Sequence, residues 1–64
     1  MPKFWMSKAK NSHVIKINKS VIGGFLNIEG RGYHGMTKIQ EDALVRDFIP
    51  CSEDHFELYK NKGK

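Results

Sequence analysis

The chain has 64 residues and a mass of 7.4 kDa, which leaves room for one small domain with a single core. Its only cysteine, Cys51, excludes an internal disulfide, and 39% hydrophobic residues exclude a fully disordered chain. No apolar run approaches the roughly 18 residues of a membrane span, and the first residues lack the apolar segment of a secretory signal. We therefore expect a reduced, cytoplasmic module with one domain over 1–60 and a frayed basic tail over 61–64.

Charge is distributed unevenly along the chain, whose formal net charge is +4. Residues 1–35 contain six cations and one acid, residues 36–58 contain two cations and six acids, and the remaining residues add three lysines. A basic half attracts phosphates, whereas an acidic segment repels them and suits a basic protein surface. A simpler explanation is that the charges only keep a marginally stable domain in solution.

The first half of the chain predicts an antiparallel hairpin. Residues 13–17 are β-branched and bounded by polar residues, which is typical of a strand. Residues 18–20, Asn-Lys-Ser, have turn chemistry, and an apolar run over 21–29 predicts the second strand. Because glycine weakens a regular strand, the pair Gly23-Gly24 predicts a bulge or a close backbone approach within that second strand.

A helix is predicted over residues 38–48. Thr37 and Gln40 have the spacing of a capping box, and Pro50 cannot continue a helix. Four-residue spacing gives the segment an apolar arc consisting of Leu44, Val45, Phe48 and Ile49. One face of this helix is expected to pack on the sheet.

The segment after Pro50 has two interpretations. Phe56 and Leu58 alternate with polar residues, so residues 55–59 are interpreted as a strand. A short helix capped by Ser52 is the alternative, and the sequence leaves it open.

Between the second strand and the helix, Gly30, Gly32 and Gly35 match the spacing of a dinucleotide fingerprint. A chain of 64 residues cannot build the doubly wound sheet that this fingerprint requires, so the match is interpreted as a flexible turn. The same loop carries Arg31, which can pair with a phosphate. It also carries two planar side chains that can stack on bases, Tyr33 and His34.

Metal binding and catalysis are not expected. Cys51 and His55 have tolerable spacing for zinc, but His13 and His34 stand alone and provide no second ligand pair. The same cysteine and histidine lack an orienting third group or an oxyanion site. We therefore expect no enzyme activity, no cofactor and no metal.

The expected fold class is α+β, with a small antiparallel sheet of three or four strands and the 38–48 helix packed on one face. Residues predicted to form the core are Ile15, Ile17, Val21, Phe25 or Leu26, Ile28, Leu44, Phe48 and Phe56. Such a core covers only one face of the sheet, which leaves homodimerisation through the other face open.

The leading hypothesis is a non-enzymatic module that engages nucleic acid, or a nucleic-acid-associated machine, through its basic half. The residues expected to carry this contact are Lys8, Lys10, Lys16, Lys19, Arg31, Tyr33 and His34. The alternative is a small adaptor or inhibitor, such as a viral or mobile-element accessory factor, that docks on a partner protein. Its contact residues would be Glu41, Asp42, Asp47, Glu53, Asp54 and an exposed Trp5. The other interpretation of Trp5 is that it closes the open side of the core and anchors the N-terminal segment.

Overall fold

A computed structural model describes residues 2–22, 24–31 and 37–60, except for the side chains of residues 19–22, 30 and 31. Within these residues the fold is α+β, with five strands and two helices, rather than the predicted three or four strands and one helix. The elements in chain order are β1 (Phe4–Ser7), β2 (Val14–Ile22), β3 (Phe25–Arg31), β4 (Lys38–Gln40), α1 (Glu41–Asp47), β5 (Phe48–Pro50) and α2 (Glu53–Lys60).

All neighbouring strands are antiparallel, and their order in the sheet is β4-β3-β2-β1-β5. The two edge strands, β4 and β5, are joined directly by α1. A seven-residue helix is about 10 Å long, whereas the edges of a flat five-stranded sheet lie about 19 Å apart. The sheet therefore curls around α1, which closes its concave side.

The concave side, called here the core face, carries the main hydrophobic cluster. Three predicted core residues, Ile15 and Ile17 on β2 and Ile28 on β3, are confirmed, because burial alternates with period two from Ile15 along β2 and along β3. Of the two alternatives predicted for the core, Phe25 or Leu26, the buried residue is Leu26. The side chain of Val21, another predicted core residue, is not described. The cluster consists of Trp5, Ile15, Ile17, Leu26, Ile28, Ile39, Leu44 and Phe48.

The opposite side of the sheet, the outer face, is partly covered by α2. The rings of Phe4 and Phe56 lie 5.1 Å apart between centroids, and Val14 is fully buried on the same side. The helical alternative for this segment is therefore correct and the strand over 55–59 is wrong. Because a second helix covers part of the outer face, the expectation of one wholly uncovered face, on which homodimerisation was based, also fails.

The hairpin turn lies later in the chain than predicted. Residues 18–20 continue β2, and its pairing with β3 shifts register between Asn18 and Val21. Ile22 pairs with Phe25, so the chain reverses between these two residues, and Gly24 there has φ of 84°. Glycine adopts positive φ at the least cost. The turn thus includes Gly24 rather than residues 18–20, and the predicted turn residues lie at the irregular part of the strand.

The predicted helix over 38–48 is too long at both ends. Residues 38–40 pair with β3 as an edge strand, and Phe48 has extended angles of φ −129° and ψ 158°. Gln40 is the N-cap residue of α1 and makes no side-chain capping hydrogen bond, so the Thr37 capping box is wrong. Strand pairing on both sides has overridden the local helix signals.

Candidate nucleic-acid interface

The loop between β1 and β2, residues 8–13, carries two of the predicted contact lysines, Lys8 and Lys10, and both are exposed. Its base is closed by Ser7, whose N–H donates to the His13 carbonyl at 2.9 Å and whose buried hydroxyl accepts from Ala9 N–H at 3.1 Å. His13 N–H donates to the Lys10 carbonyl at 2.9 Å. These hydrogen bonds hold the loop in a compact turn.

Both helices also hold this loop. Lys8 N–H donates to the Asp47 carbonyl at the end of α1 at 2.9 Å. On the other side, His55 Nε2 lies 2.7 Å from the Asn11 carbonyl oxygen. A carbonyl only accepts, so His55 Nε2 carries the proton in this contact. The loop is therefore anchored to α1 and α2 as well as to the sheet.

Arg31 reaches the same end of the sheet through the strand register. Its Cα pairs with that of Val14, the residue at which the loop enters β2, and Val14 pairs with Met6 on β1. Adjacent strands lie about 4.8 Å apart. The backbone of Arg31 is therefore at the sheet end from which the loop with Lys8 and Lys10 emerges. We call the three residues Lys8, Lys10 and Arg31 the basic end.

The remaining predicted contact residues belong neither to the loop nor to the strand end that define the basic end. Lys16 was expected near the hairpin tip, but it lies two residues into β2 from Val14, half-buried on the outer face between Phe4 and Glu29. Lys19 lies where the β2–β3 pairing is irregular, farther from the basic end, and its side chain is not described. Tyr33 and His34 lie outside the described residues.

The carboxylate of Asp47 lies next to the basic end. Asp47 accepts from Arg46 Nε at 3.1 Å and from its terminal nitrogen at 3.0 Å. These hydrogen bonds lower the pKa of Asp47, desolvation opposes them, and the charges of Arg46 and Lys8 lower the pKa further. Asp47 therefore remains charged, and Arg46 pairs with it in an exposed ion pair next to Lys8.

The acidic residues of the alternative hypothesis do not form one stripe. Glu41 and Asp42 begin α1 on the core-face side, and Asp47 ends the same helix. The other two, Glu53 and Asp54, begin α2 on the outer-face side. An open cleft of about 250 Å³ adjoins the first pair, and its lining residues are Gly24, Gln40, Glu41 and Asp42.

Trp5 does not provide the exposed contact that the alternative hypothesis requires. Its side chain is 6% exposed, belongs to the core cluster, and donates from Nε1 to the Pro2 carbonyl at 2.8 Å. The indole therefore anchors the start of the chain to the core. This interpretation of Trp5 was the other one that the sequence allowed, and the structure confirms it.

The outer edge of β5 offers few donors to an added strand. The Asp47 carbonyl accepts from Lys8 N–H and Cys51 N–H donates to the Phe4 carbonyl, so the backbone groups of both residues point toward β1. Alternate residues of a strand point their backbone groups the same way, so those of Ile49 also point toward β1. Phe48 N–H donates to the Leu44 carbonyl as the cap of α1, and Pro50 has no N–H. Proline and a committed donor are common ways of protecting an edge from strand pairing.

The groups that could support chemistry are dispersed over the described part of the chain. Burial raises the pKa of the half-buried Cys51 thiol, which keeps it protonated and poorly nucleophilic. Among residues 2–22, 24–31 and 37–60, no three His, Cys, Asp or Glu side chains come together as metal ligands do. In the same ranges neither helix has the length and apolar character needed to cross a bilayer.

Sequence analysis did not single out the exposed aromatic on β3. Phe25 is 39% exposed, whereas its neighbour Leu26 is 4% exposed. The signal was present, because Leu26 and Ile28 alternate with Phe25, Asn27 and Glu29. Period-two alternation assigns one of these sets to the core and the other to the opposite side.

No protein-family model, curated protein or solved structure matches this sequence. Arguments about function therefore depend on the residues and geometry of this chain alone.

Proposed function

We propose that this protein is a small non-enzymatic module that binds nucleic acid, or a nucleic-acid-associated assembly, through the basic end. The observation that carries the proposal is the anchoring of the Lys8–Lys10 loop to both helices and the sheet, beside the strand end of Arg31. A fixed loop presents its cations without a large ordering cost on binding.

The contact we propose follows phosphates rather than base sequence. Lysine is a point charge that cannot make the bidentate pairs by which arginine reads guanine, and the chain has nine lysines against two arginines. Each neutralised phosphate releases counterions, so affinity should fall steeply as salt is added. We expect weak sequence preference and a strong dependence on ionic strength.

The test compares two double variants of the full chain with the same change in net charge. Lys8→Ala with Lys10→Ala removes the loop cations, whereas Lys3→Ala with Lys60→Ala removes cations at other positions. Fluorescence anisotropy with labelled DNA over a salt series measures the affinity and its salt slope. We expect the loop variant to reduce the slope by about 2, because each phosphate contact contributes about 0.9. The control variant should change it much less.

Three results would contradict the proposal: no binding by the wild type, binding without salt dependence, or equal losses in the two double variants. Circular dichroism of each variant separates loss of contact from loss of fold. Recovery of one stoichiometric protein from lysate after nuclease treatment would instead favour the docking alternative.

A further inference from the structure

The outer face has an uncovered part next to α2. This helix packs on β1, β2 and β3 and buries Phe4, Val14 and Phe56 between itself and the sheet to different extents. Beyond it, strands β2, β3 and β4 present alternate residues to solvent. We call this surface the open face, and its residues are Lys16, Asn18, Phe25, Asn27, Glu29, Lys38 and Gln40.

Phe25 is the large apolar side chain of the open face. The core does not need its ring, because Leu26 fills the adjacent inward position and is almost fully buried. Phe25 pairs with Gln40 on β4 and with Ile22 on β2, and Asn27 lies two residues along β3, about 7 Å away. A single exposed phenylalanine is ordinary in proteins. This one has amide side chains on two sides, at Gln40 and Asn27.

The neighbouring residues are amides and lysines. Asn18, Asn27 and Lys38 lie side by side across three strands. Side-chain amides both donate and accept, so they suit the edges of bases, and the exposed Lys38 and half-buried Lys16 suit phosphates. The one acid of this surface, Glu29, accepts from Asn18 Nδ2 at 3.2 Å, which ties its carboxylate to a neighbour.

We propose that the open face binds single-stranded nucleic acid, with a base stacked on Phe25. This inference goes beyond the proposed function, because it assigns a second surface whose ligand is an unpaired strand. An aromatic ring on a sheet can reach the face of a base only if that base is unstacked, which a duplex does not allow. Lys16 and Lys38 supply two positive charges for the phosphate backbone against the one carboxylate of this surface, Glu29, while Glu41 and Asp42 lie at the adjoining cleft.

A protein ligand fits this surface less well. Peptides that dock on a domain place apolar anchors into hydrophobic pockets, whereas the open face is part of a sheet surface on which Phe25 pairs with Ile22 and the other residues are polar. Among the described residues, the cleft beside it is lined by a glycine, an amide and two acids. A flat aromatic platform with amides is typical of base stacking instead.

The test measures binding of the full chain to labelled oligothymidylate and to a DNA duplex of the same length. Stacking on an aromatic residue is sensitive to alanine substitution, so Phe25→Ala should bind oligothymidylate roughly tenfold or more weakly. Its affinity for the duplex should remain unchanged. Phe25→Tyr should retain single-strand binding, because tyrosine keeps the ring. Leu58→Ala is the matched control, since this exposed apolar residue lies on α2 and is 54% exposed.

The outcomes separate this inference from the proposed function. If Phe25→Ala binds oligothymidylate like the wild type while the Lys8 and Lys10 variant loses affinity, the open face is not the site and the basic end stands. Equal losses on single strand and duplex, or a loss that Phe25→Tyr shares, would also overturn the stacking role. A selective single-strand loss in Phe25→Ala with no effect of the loop variant would support the open face and contradict the basic end.

Discussion

The two helices have similar lengths, seven and eight residues, but different interactions maintain them. α1 has no side-chain cap, runs directly from one paired strand into another, and buries Leu44 completely in the core. α2 has its own cap, because Ser52 Oγ accepts from His55 N–H at 3.1 Å, and an ion pair joins Glu57 to Lys60. Tertiary contacts therefore specify α1, whereas local signals contribute much more to α2.

The largest expected effect is at the buried residue of α1. Leu44→Ala leaves a cavity between the helix and the curled sheet, and Leu44 has no exposed surface. We expect a loss of about 5 kcal/mol in the free energy of unfolding, which is near the upper end of the range for truncating a buried leucine to alanine. A domain of this size has about 3–5 kcal/mol in total. Far-UV circular dichroism in a urea series should therefore find the variant mostly unfolded without denaturant.

Val45→Ala is the control for this substitution. Val45 is the next residue of the same helix and is 58% exposed, so its truncation should change stability by no more than about 0.5 kcal/mol. If Leu44→Ala and Val45→Ala unfolded at the same urea concentration, the tertiary origin of α1 would be refuted.

A smaller effect is expected at Phe56, the buried residue of α2. Phe56→Ala removes the ring that contacts Phe4 on the outer face, away from the main cluster. We expect a loss of about 3 kcal/mol, at the lower end for a buried phenylalanine, because the helix can shift to fill the gap. Hydrogen exchange should become faster in α2 than in β2 and β3.

Leu58→Ala provides the comparison on the same helix, since Leu58 is exposed and contributes little burial. Uniform acceleration of exchange over all five described strands in Phe56→Ala would show that α2 is part of the same cooperative unit as the core face. The distinction between the two helices would then fail.

The smallest effect is expected at the cap of α2. Ser52→Ala removes the acceptor for His55 N–H and should lower the stability by about 1 kcal/mol. Ser52→Asp should restore most of it, because aspartate also caps helices and is favoured at the positive end of the helix dipole. Thermal melts of the two variants measure the difference. Identical melting of Ser52→Ala and wild type would remove the argument that local capping stabilises α2.

The sequence predicts the long central strands well and the short edge strands poorly. Ile15, Ile17, Leu26 and Ile28 are buried as period-two alternation predicts. β4 and β5 have three residues each, too few for either periodicity to appear. Their structure comes from pairing with β3 and β1, and no local pattern encodes such pairing.

The composition of the basic end could not be predicted, because it depends on where the hairpin turns. A turn over residues 18–20 would have paired Ile17 with Val21 and placed residue 24 opposite Val14. The turn at Gly24, together with the irregular pairing after Asn18, places Arg31 there instead. The position of the turn thus decides which residue joins Lys8 and Lys10 at this end of the sheet. The sequence predicts the turn at residues 18–20 and a bulge or close backbone approach at the glycine pair, so this register could not be foreseen.

The position of β1 in the sheet has a consequence for synthesis on the ribosome. β1 lies between β2 and β5, and Trp5 pairs with Pro50 across almost the whole chain. The β2–β3 hairpin can form as soon as its residues have emerged, but β5, the second neighbour of β1, lies more than 40 residues further along the chain than β1. Until β5 has emerged, the outer edge of β1 stays open to other chains. The β1–β5 pairing is therefore the last strand pairing of the described sheet that can form on the ribosome.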